Sequence, residues 1–327
     1  MRRWLLRLFL VLPLLVIVGL AAAVGLHAPG RPPVLAAGNA IPGIEAFPWD
    51  QLPAVQSITA RDGARLNYRL YPGQPDRVVV LVHGSTGSGT EMLQSARALQ
   101  AAGATVYAIA LRGHGGSGNR NGDVSYLGQP DDDLADLVKA LGLDRPGLRR
   151  TLAGFSASGG FVLRIAGGPQ SGLFDDYLAI SPFIANDSPT NKPGSGGWAD
   201  VAVPRIVGLS ILHRFGLTAF EGLPVAHFAT DAPADDRRTP VYSFRLLMSL
   251  QLGLDWRAVL ARIERPTRIV VGADDELFNA DQFAPLLKAI NPRIGVTVVP
   301  GQGHLAMIAT PAGTAAVAAA WRSLAGP

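Results

Sequence analysis

The chain has 327 residues, 48% of them hydrophobic and 17% charged, with a formal net charge of +4 carried mainly by scattered arginines. This composition suits a packed globular protein with one large core, and the absence of cysteine excludes disulfides, thiol catalysis and thiolate metal sites. No long basic run or aromatic-interleaved basic stripe occurs, which argues against a nucleic-acid partner, since that binding needs a concentrated positive footprint.

The N-terminus differs from the rest. Arg2, Arg3 and Arg7 precede an apolar run over residues 8–25, which Pro13 interrupts without adding charge. Its 18 uncharged residues approach the lower limit for a membrane-spanning helix, and Leu5 and Leu6 extend it if Arg7 snorkels. Basic residues before the run predict a cytoplasmic N-terminus and a body outside the cytoplasm. Residues 1–26 are therefore expected to be a transmembrane anchor, which the length favours, or a signal segment cleaved near small residues such as Ala21 and Ala23. Either way the segment is expected to stand outside the fold. Residues 27–53, rich in Pro, Gly and Ala, predict a semi-extended linker, and residues 54–327 the folded domain.

Residues 55–59 and 64–71 flank the turn Arg61-Asp62-Gly63 and predict a hairpin. Residues 77–83 form a near-continuous β-branched run, as expected of a strand buried on both faces. An alternating pattern follows: helix 90–102, strand 105–111, helix 131–141, strand 151–155, a helix after Ser156, and strand 177–181. Asp131, Asp132 and Asp133 suit the positive end of their helix. Such alternation implies βαβ units and a mainly parallel sheet with right-handed crossovers. Over residues 183–255 it breaks, giving a loop rich in Asn, Pro, Gly and Ser and then two apolar helices near 203–215 and 241–252. It resumes with strand 267–272, helix 281–290, strand 294–299 and a final helix 311–324. The middle segment is thus an insertion before a late strand. Loops at the carboxyl ends of parallel strands surround the ligand crevice, so it is expected to form a helical cap.

The segment Ala153-Gly154-Phe155-Ser156-Ala157-Ser158-Gly159-Gly160 has the pattern of a strand, a sharp turn and a helix. A serine on such a turn is exposed to substrate at a helix N-terminus, and small residues two before and two after it let strand and helix pass closely. This selects Ser156 as nucleophile; a register shifted by two would select Ser158. The glycine-rich loop from His83 to Gly89 follows the buried strand, and its backbone amides can face the crevice. The Ser85 amide, with the Ala157 amide after the nucleophile, is the candidate oxyanion hole. No Lys-Ser/Thr pair follows as in a phosphate-binding loop, and His83 is read as shaping the loop. A serine needs a base to take its proton and an acid to orient that base. His304, in Gly301-Gln302-Gly303-His304 after strand 294–299, supplies the base. Asp275 supplies the acid after strand 267–272, with Asp274 and Glu276 as alternatives. Neither a metal-ligand cluster nor a cofactor motif appears.

With these residues the chain resembles the α/β-hydrolase superfamily over about residues 55–325. It is most similar to the branch of lysophospholipases, monoacylglycerol lipases and serine aminopeptidase-like hydrolases. The motifs are His83-Gly84, the turn from Leu111 to Ser117, the Ser156 elbow, Gly272-Ala273-Asp274-Asp275 and Gly301-Gln302-Gly303-His304. The resemblance implies an acid three residues after the strand-ending glycine, which from Gly272 gives Asp275. It also implies structural roles for Arg112 and His114. Departures are Ser158 where glycine is commoner and Phe155 where histidine is frequent. The expected activity is hydrolysis of a small or lipid-like carboxylic ester without a cofactor, with a peptidase or amidase as alternative. A non-catalytic, membrane-anchored binding module is the alternative of another class.

Overall fold

The computed structural model describes residues 2–33, 51–193, 197–230 and 238–324, with side chains near the N-terminus described at Leu12 and from Leu14 onward. In chain order the elements are α1 (Arg2–Leu26), β1 (Val55–Thr59), β2 (Arg65–Tyr71), β3 (Gln74–Val82), α2 (Leu93–Ala101) and β4 (Ala104–Ile109). Next come α3 (Gln129–Ala140), β5 (Arg149–Phe155), α4 (Ala157–Ala166) and β6 (Asp176–Ile180). The insertion holds β7 (Ala199–Val201), α5 (Val203–Arg214), β8 (Pro224–Phe228), β9 (Val241–Ser243), α6 (Phe244–Leu250) and α7 (Trp256–Ala261). The chain closes with β10 (Thr267–Gly272), α8 (Ala280–Ile290), β11 (Ile294–Val299), α9 (Ala306–Ala309) and α10 (Pro311–Leu324).

Eight strands form one sheet in the order β1-β2-β4-β3-β5-β6-β10-β11. The β1–β2 and β2–β4 pairs are antiparallel and every later pair is parallel. The run Val78 to Val82 explains why this sheet is covered on both faces. Val78, Val80 and Val82 enter one apolar cluster with Phe161 of α4 and Phe283 of α8, while Val79 and Leu81 enter another with Leu99 of α2 and Trp321 of α10. Successive side chains on a strand point to opposite faces, so a strand apolar at every position needs helices on both. The expected α/β-hydrolase fold, a mostly parallel sheet flanked by helices, is therefore present. Because the chain crosses from β4 over β3 to β5, a crevice opens at the carboxyl ends of β3 and β5, where both glycine-rich turns lie.

Two features differ from the sequence expectation. The insertion between β6 and β10 is not wholly helical: β7, β8 and β9 form a small antiparallel sheet. β7 and β9 have three residues each, too short for a period-2 pattern to register. The N-terminal segment also does not stand clear of the fold. Val24 of α1 is buried beside Gly208 of α5, and the Arg205 Nε–H donates to the Val24 carbonyl at 2.8 Å. Beyond α1, the Gly30 N–H donates to Asp200 Oδ2 at 2.7 Å. Residues 27–33 contain no helix or strand, and much of the rest of the predicted linker lies outside the described residues. Among the described residues no helix is long and apolar enough to cross a membrane.

Candidate active site

Ser156 stands between β5 and α4 with φ 56° and ψ −119°, a conformation unusual for a residue with a side chain. The surroundings hold it there. Its N–H donates to the Ile180 carbonyl at 2.9 Å, and its own carbonyl accepts from the amides of Phe183 and Gly160 at 3.1 and 3.2 Å. Gly154 is required by the close passage of strand and helix, since a Cβ there would lie 2.4 Å from the Ser158 carbonyl oxygen. Ser158 lies in the first turn of α4 and is buried, so the register that would make it the nucleophile keeps its hydroxyl away from solvent.

The loops after β10 and β11 lie against each other. Asp274 N–H donates to the Gln302 carbonyl at 3.0 Å, and a Cβ at Gly272 would fall 2.1 Å from that oxygen. This approach brings the acid and the imidazole together. Asp275 Oδ2 accepts from His304 Nδ1 at 2.8 Å, and Asp275 Oδ1 accepts from the amides of Leu277 and Phe278 at 2.9 and 3.0 Å. A carboxylate only accepts, so the imidazole proton sits on Nδ1 and leaves Nε2 free to receive the Ser156 hydroxyl proton, 3.0 Å away. Asp275 is 1% exposed, whereas Asp274 and Glu276 are exposed. Glu276 has a separate part: its Oε2 accepts from the His304 N–H at 2.6 Å. Phe155 and Phe278 flank the His304 ring, with centroids 4.7 and 5.2 Å away.

The Ser85 and Ala157 amides lie on the loop after β3 and at the start of α4, beside Ser156, and among the described residues neither donates to a protein acceptor. His83 shapes this loop. Its Nε2 accepts from the Leu111 amide at 3.1 Å, so Nδ1 carries the proton and donates to the Gly84 carbonyl at 2.7 Å. Burial lowers the pKa of His83 and, further, that of His114, which also feels His83 beside it. Arg112 is buried in a two-bond pair with Asp133, at 2.6 and 2.8 Å, and also reaches Asp62 at 2.9 Å. These three residues secure the turns after β3 and β4. Among the described residues no group of three or more His, Asp or Glu side chains could hold a metal ion.

Over Ser156 lies a cleft whose empty space, its open mouth included, comes to about 730 Å³. Phe183, Trp198, Phe228, Leu247, Leu277 and Phe278 give it apolar walls, with Asn186, Asn191 and Gln251 among its polar lining residues. Sequence reasoning did not select Trp198, Phe228 or Tyr242 for the site. The signal available was thin: single aromatic residues on short cap strands or next to a glycine-rich loop.

A serine on a sharp strand-to-helix turn, a glycine-rich loop beside it and a late histidine on a sheet of this order fit an α/β-hydrolase. The chain belongs to the hydrolase family described as serine aminopeptidase, S33, whose model matches residues 73–308. A monoacylglycerol lipase of Mycolicibacterium smegmatis is 35% identical over 266 residues, spanning 76% of this chain and 89% of that one. Among solved structures, a soluble variant of monoglyceride lipase from Saccharomyces cerevisiae, in complex with a substrate analog, has a TM-score of 0.61. It is 16% identical, with 84% of this chain and 95% of that chain covered. A carboxylesterase from Bacillus subtilis has a TM-score of 0.55 at 14% identity, with 84% and 93% covered. At such identities the solved structures share the fold alone, whereas 35% identity makes the chain a relative of that monoacylglycerol lipase.

Proposed function

We propose that this protein hydrolyses carboxylic esters with a lipid-like acyl group, through an acyl-enzyme formed on Ser156. The observation that carries this reading is the hydrogen-bonded line Ser156–His304–Asp275, with Ser156 lining an apolar cleft. Ser156 Oγ attacks the ester carbonyl carbon while its proton passes to His304 Nε2. Asp275 holds the imidazole in its tautomer and stabilises the imidazolium. The carbonyl electron pair becomes an oxyanion, received by the amides of Ser85 and Ala157. His304 then returns the proton to the departing alkoxide oxygen. Water, deprotonated by the same Nε2, attacks the acyl-enzyme, and collapse releases the acid and restores Ser156.

The monoacylglycerol lipase relative supports an acyl-lipid substrate. The cleft supports it independently. An aminopeptidase recognises an α-ammonium group, for which a carboxylate in the pocket is the natural partner, and the described lining residues include none. For p-nitrophenyl esters, kcat/KM is expected to rise about tenfold for each two methylenes added to the acyl chain, until the walls are filled. Aminoacyl arylamides are expected to be turned over at least about a hundredfold more slowly, since their amide leaving group needs more assistance than an activated phenolate. Steady-state kinetics on both series tests the reading, and turnover of arylamides alone would replace it with a peptidase.

We further place the catalytic domain at a membrane, outside the cytoplasm, with the substrate drawn from lipid. The arginines before the apolar run of residues 8–25 support the orientation. The surface of the cap supports the lipid contact. Val203, Val207 and Ile211 succeed one another at helical spacing on α5 and are exposed, as are Phe215, Leu217 and Phe220 just beyond it. Protease treatment of intact cells and of inverted membranes checks this: digestion only in inverted membranes would reverse the orientation.

A further inference from the structure

Two cap side chains reach the loop that carries the Ser85 amide, and neither belongs to the line Ser156–His304–Asp275. The Trp198 Nε1–H donates to Ser85 Oγ at 2.9 Å. The Tyr242 hydroxyl accepts from the Thr86 N–H at 3.0 Å and donates to His114 Nε2 at 2.5 Å. The direction of the last bond follows from the other side of the ring, where His114 Nδ1 faces the Arg112 carbonyl at 3.3 Å and only an N–H can pair with a carbonyl. Thr86 has a φ of 66°, where a β-branched residue is seldom found, so this loop is held by its neighbours and not by local preference. The same two aromatic residues line the cleft, packed through Phe228 with ring centroids 6.0 and 4.7 Å away. The groups that an acyl chain would touch are therefore the groups that hold the loop.

We propose that Trp198 and Tyr242 are positioning residues that hold the Ser85 amide against the developing oxyanion, so that the cap completes the oxyanion hole; this rests on Ser156 being the nucleophile. An oxyanion donor acts only within a few tenths of an ångström of its best distance, and a glycine-rich loop does not fix an amide that well unaided. A bond from Trp198 to the side chain of Ser85 and one from Tyr242 to the next amide fix the chain just after this peptide, whose own carbonyl, that of Gly84, is held by His83. Support of this type acts when charge develops on the substrate oxygen, and so it favours the transition state over the bound ground state.

The test compares two inhibitors of equal chain length on the full chain. A long-chain alkyl trifluoromethyl ketone takes up Ser156 Oγ at its carbonyl carbon; the Ser156 proton moves to His304 and the carbonyl electron pair becomes an oxyanion in the hole. The matching methyl ketone, too weakly electrophilic to add, reports ground-state binding. Trp198→Phe and Ser85→Ala are each expected to weaken the trifluoromethyl ketone, and to lower kcat, by about tenfold, and Tyr242→Phe by a similar factor. Methyl ketone affinity is expected to change less than about twofold. The double variant W198F/S85A is expected to lose no more than either single one, because both remove the same hydrogen bond. Ser85→Ala trims one oxygen from a loop side chain and keeps the test open should an aromatic substitution disturb the cap. A multiplied, roughly hundredfold loss in the double variant, or equal losses for both ketones, would overturn the proposal. Failure of the nucleophile reading looks different: the unaltered chain would then bind the two ketones alike.

Discussion

Ser156→Ala is expected to lower kcat for ester hydrolysis by roughly 10⁴- to 10⁶-fold and to abolish covalent labelling by a fluorophosphonate probe. The size of the loss follows from the geometry. The hydroxyl 3.0 Å from His304 Nε2 is the group whose proton the imidazole is placed to take, and the sharp φ of 56° holds it at the floor of the cleft. Removing it leaves the amides of Ser85 and Ala157 able to polarise an ester, but with no covalent route. Adding His304→Ala to Ser156→Ala is expected to change little, because base and nucleophile act as one unit and the first loss removes most of what the second could. Ser158→Ala is the control. Its hydroxyl is buried in the first turn of α4, and labelling is expected to persist at close to the native rate. Steady-state ester hydrolysis reads the losses in kcat and gel fluorescence of the labelled chain reads the labelling, and a Ser156→Ala protein that still takes the probe would remove the central assignment.

The parts of this site that were legible in the sequence are those whose chemistry forces a local pattern. A strand buried on both faces must be apolar at every position, and residues 78–82 are. A serine on a strand-to-helix turn needs a small residue two before it, and Gly154 has no room for a Cβ. The acid was harder to read. Three adjacent acids left Asp274 and Glu276 as alternatives to Asp275, and the resemblance supported Asp275; burial and the two amides donated to Asp275 Oδ1 are properties of the folded loop. Trp198 and Tyr242 were illegible for a different reason. Each reaches the oxyanion loop from far along the chain, over 113 residues to Ser85 and 156 residues to Thr86, and no local pattern encodes a contact of that span. The docking of α1 on the cap was hidden likewise, because it depends on Arg205 and Asp200 finding the carbonyl of Val24 and the amide of Gly30.

Asp275→Asn is expected to lower kcat by about 10³- to 10⁴-fold, against less than about threefold for Asp274→Asn. The reason is the direction of one hydrogen bond. The native carboxylate accepts from His304 Nδ1–H with one oxygen and from the amides of Leu277 and Phe278 with the other. In the asparagine variant the carbonyl oxygen is best used by the two backbone donors, because an NH₂ group facing two N–H groups leaves all of them unpaired. The NH₂ group is then turned toward His304 and needs an acceptor there. The imidazole supplies one by moving its proton from Nδ1 to Nε2, and an Nε2 that already carries a proton cannot take another from Ser156. Glu276 cannot substitute, since it is engaged with the His304 backbone amide and lies on the exposed side of the loop. The geometry of the site is retained, so acyl-chain dependence of KM is expected to stay within about twofold while kcat falls. Fluorophosphonate labelling of Ser156 is expected to slow in parallel with kcat, without vanishing. Equal losses in the Asp274 and Asp275 variants would mean that the loop acts through its total charge and not through the oriented bond.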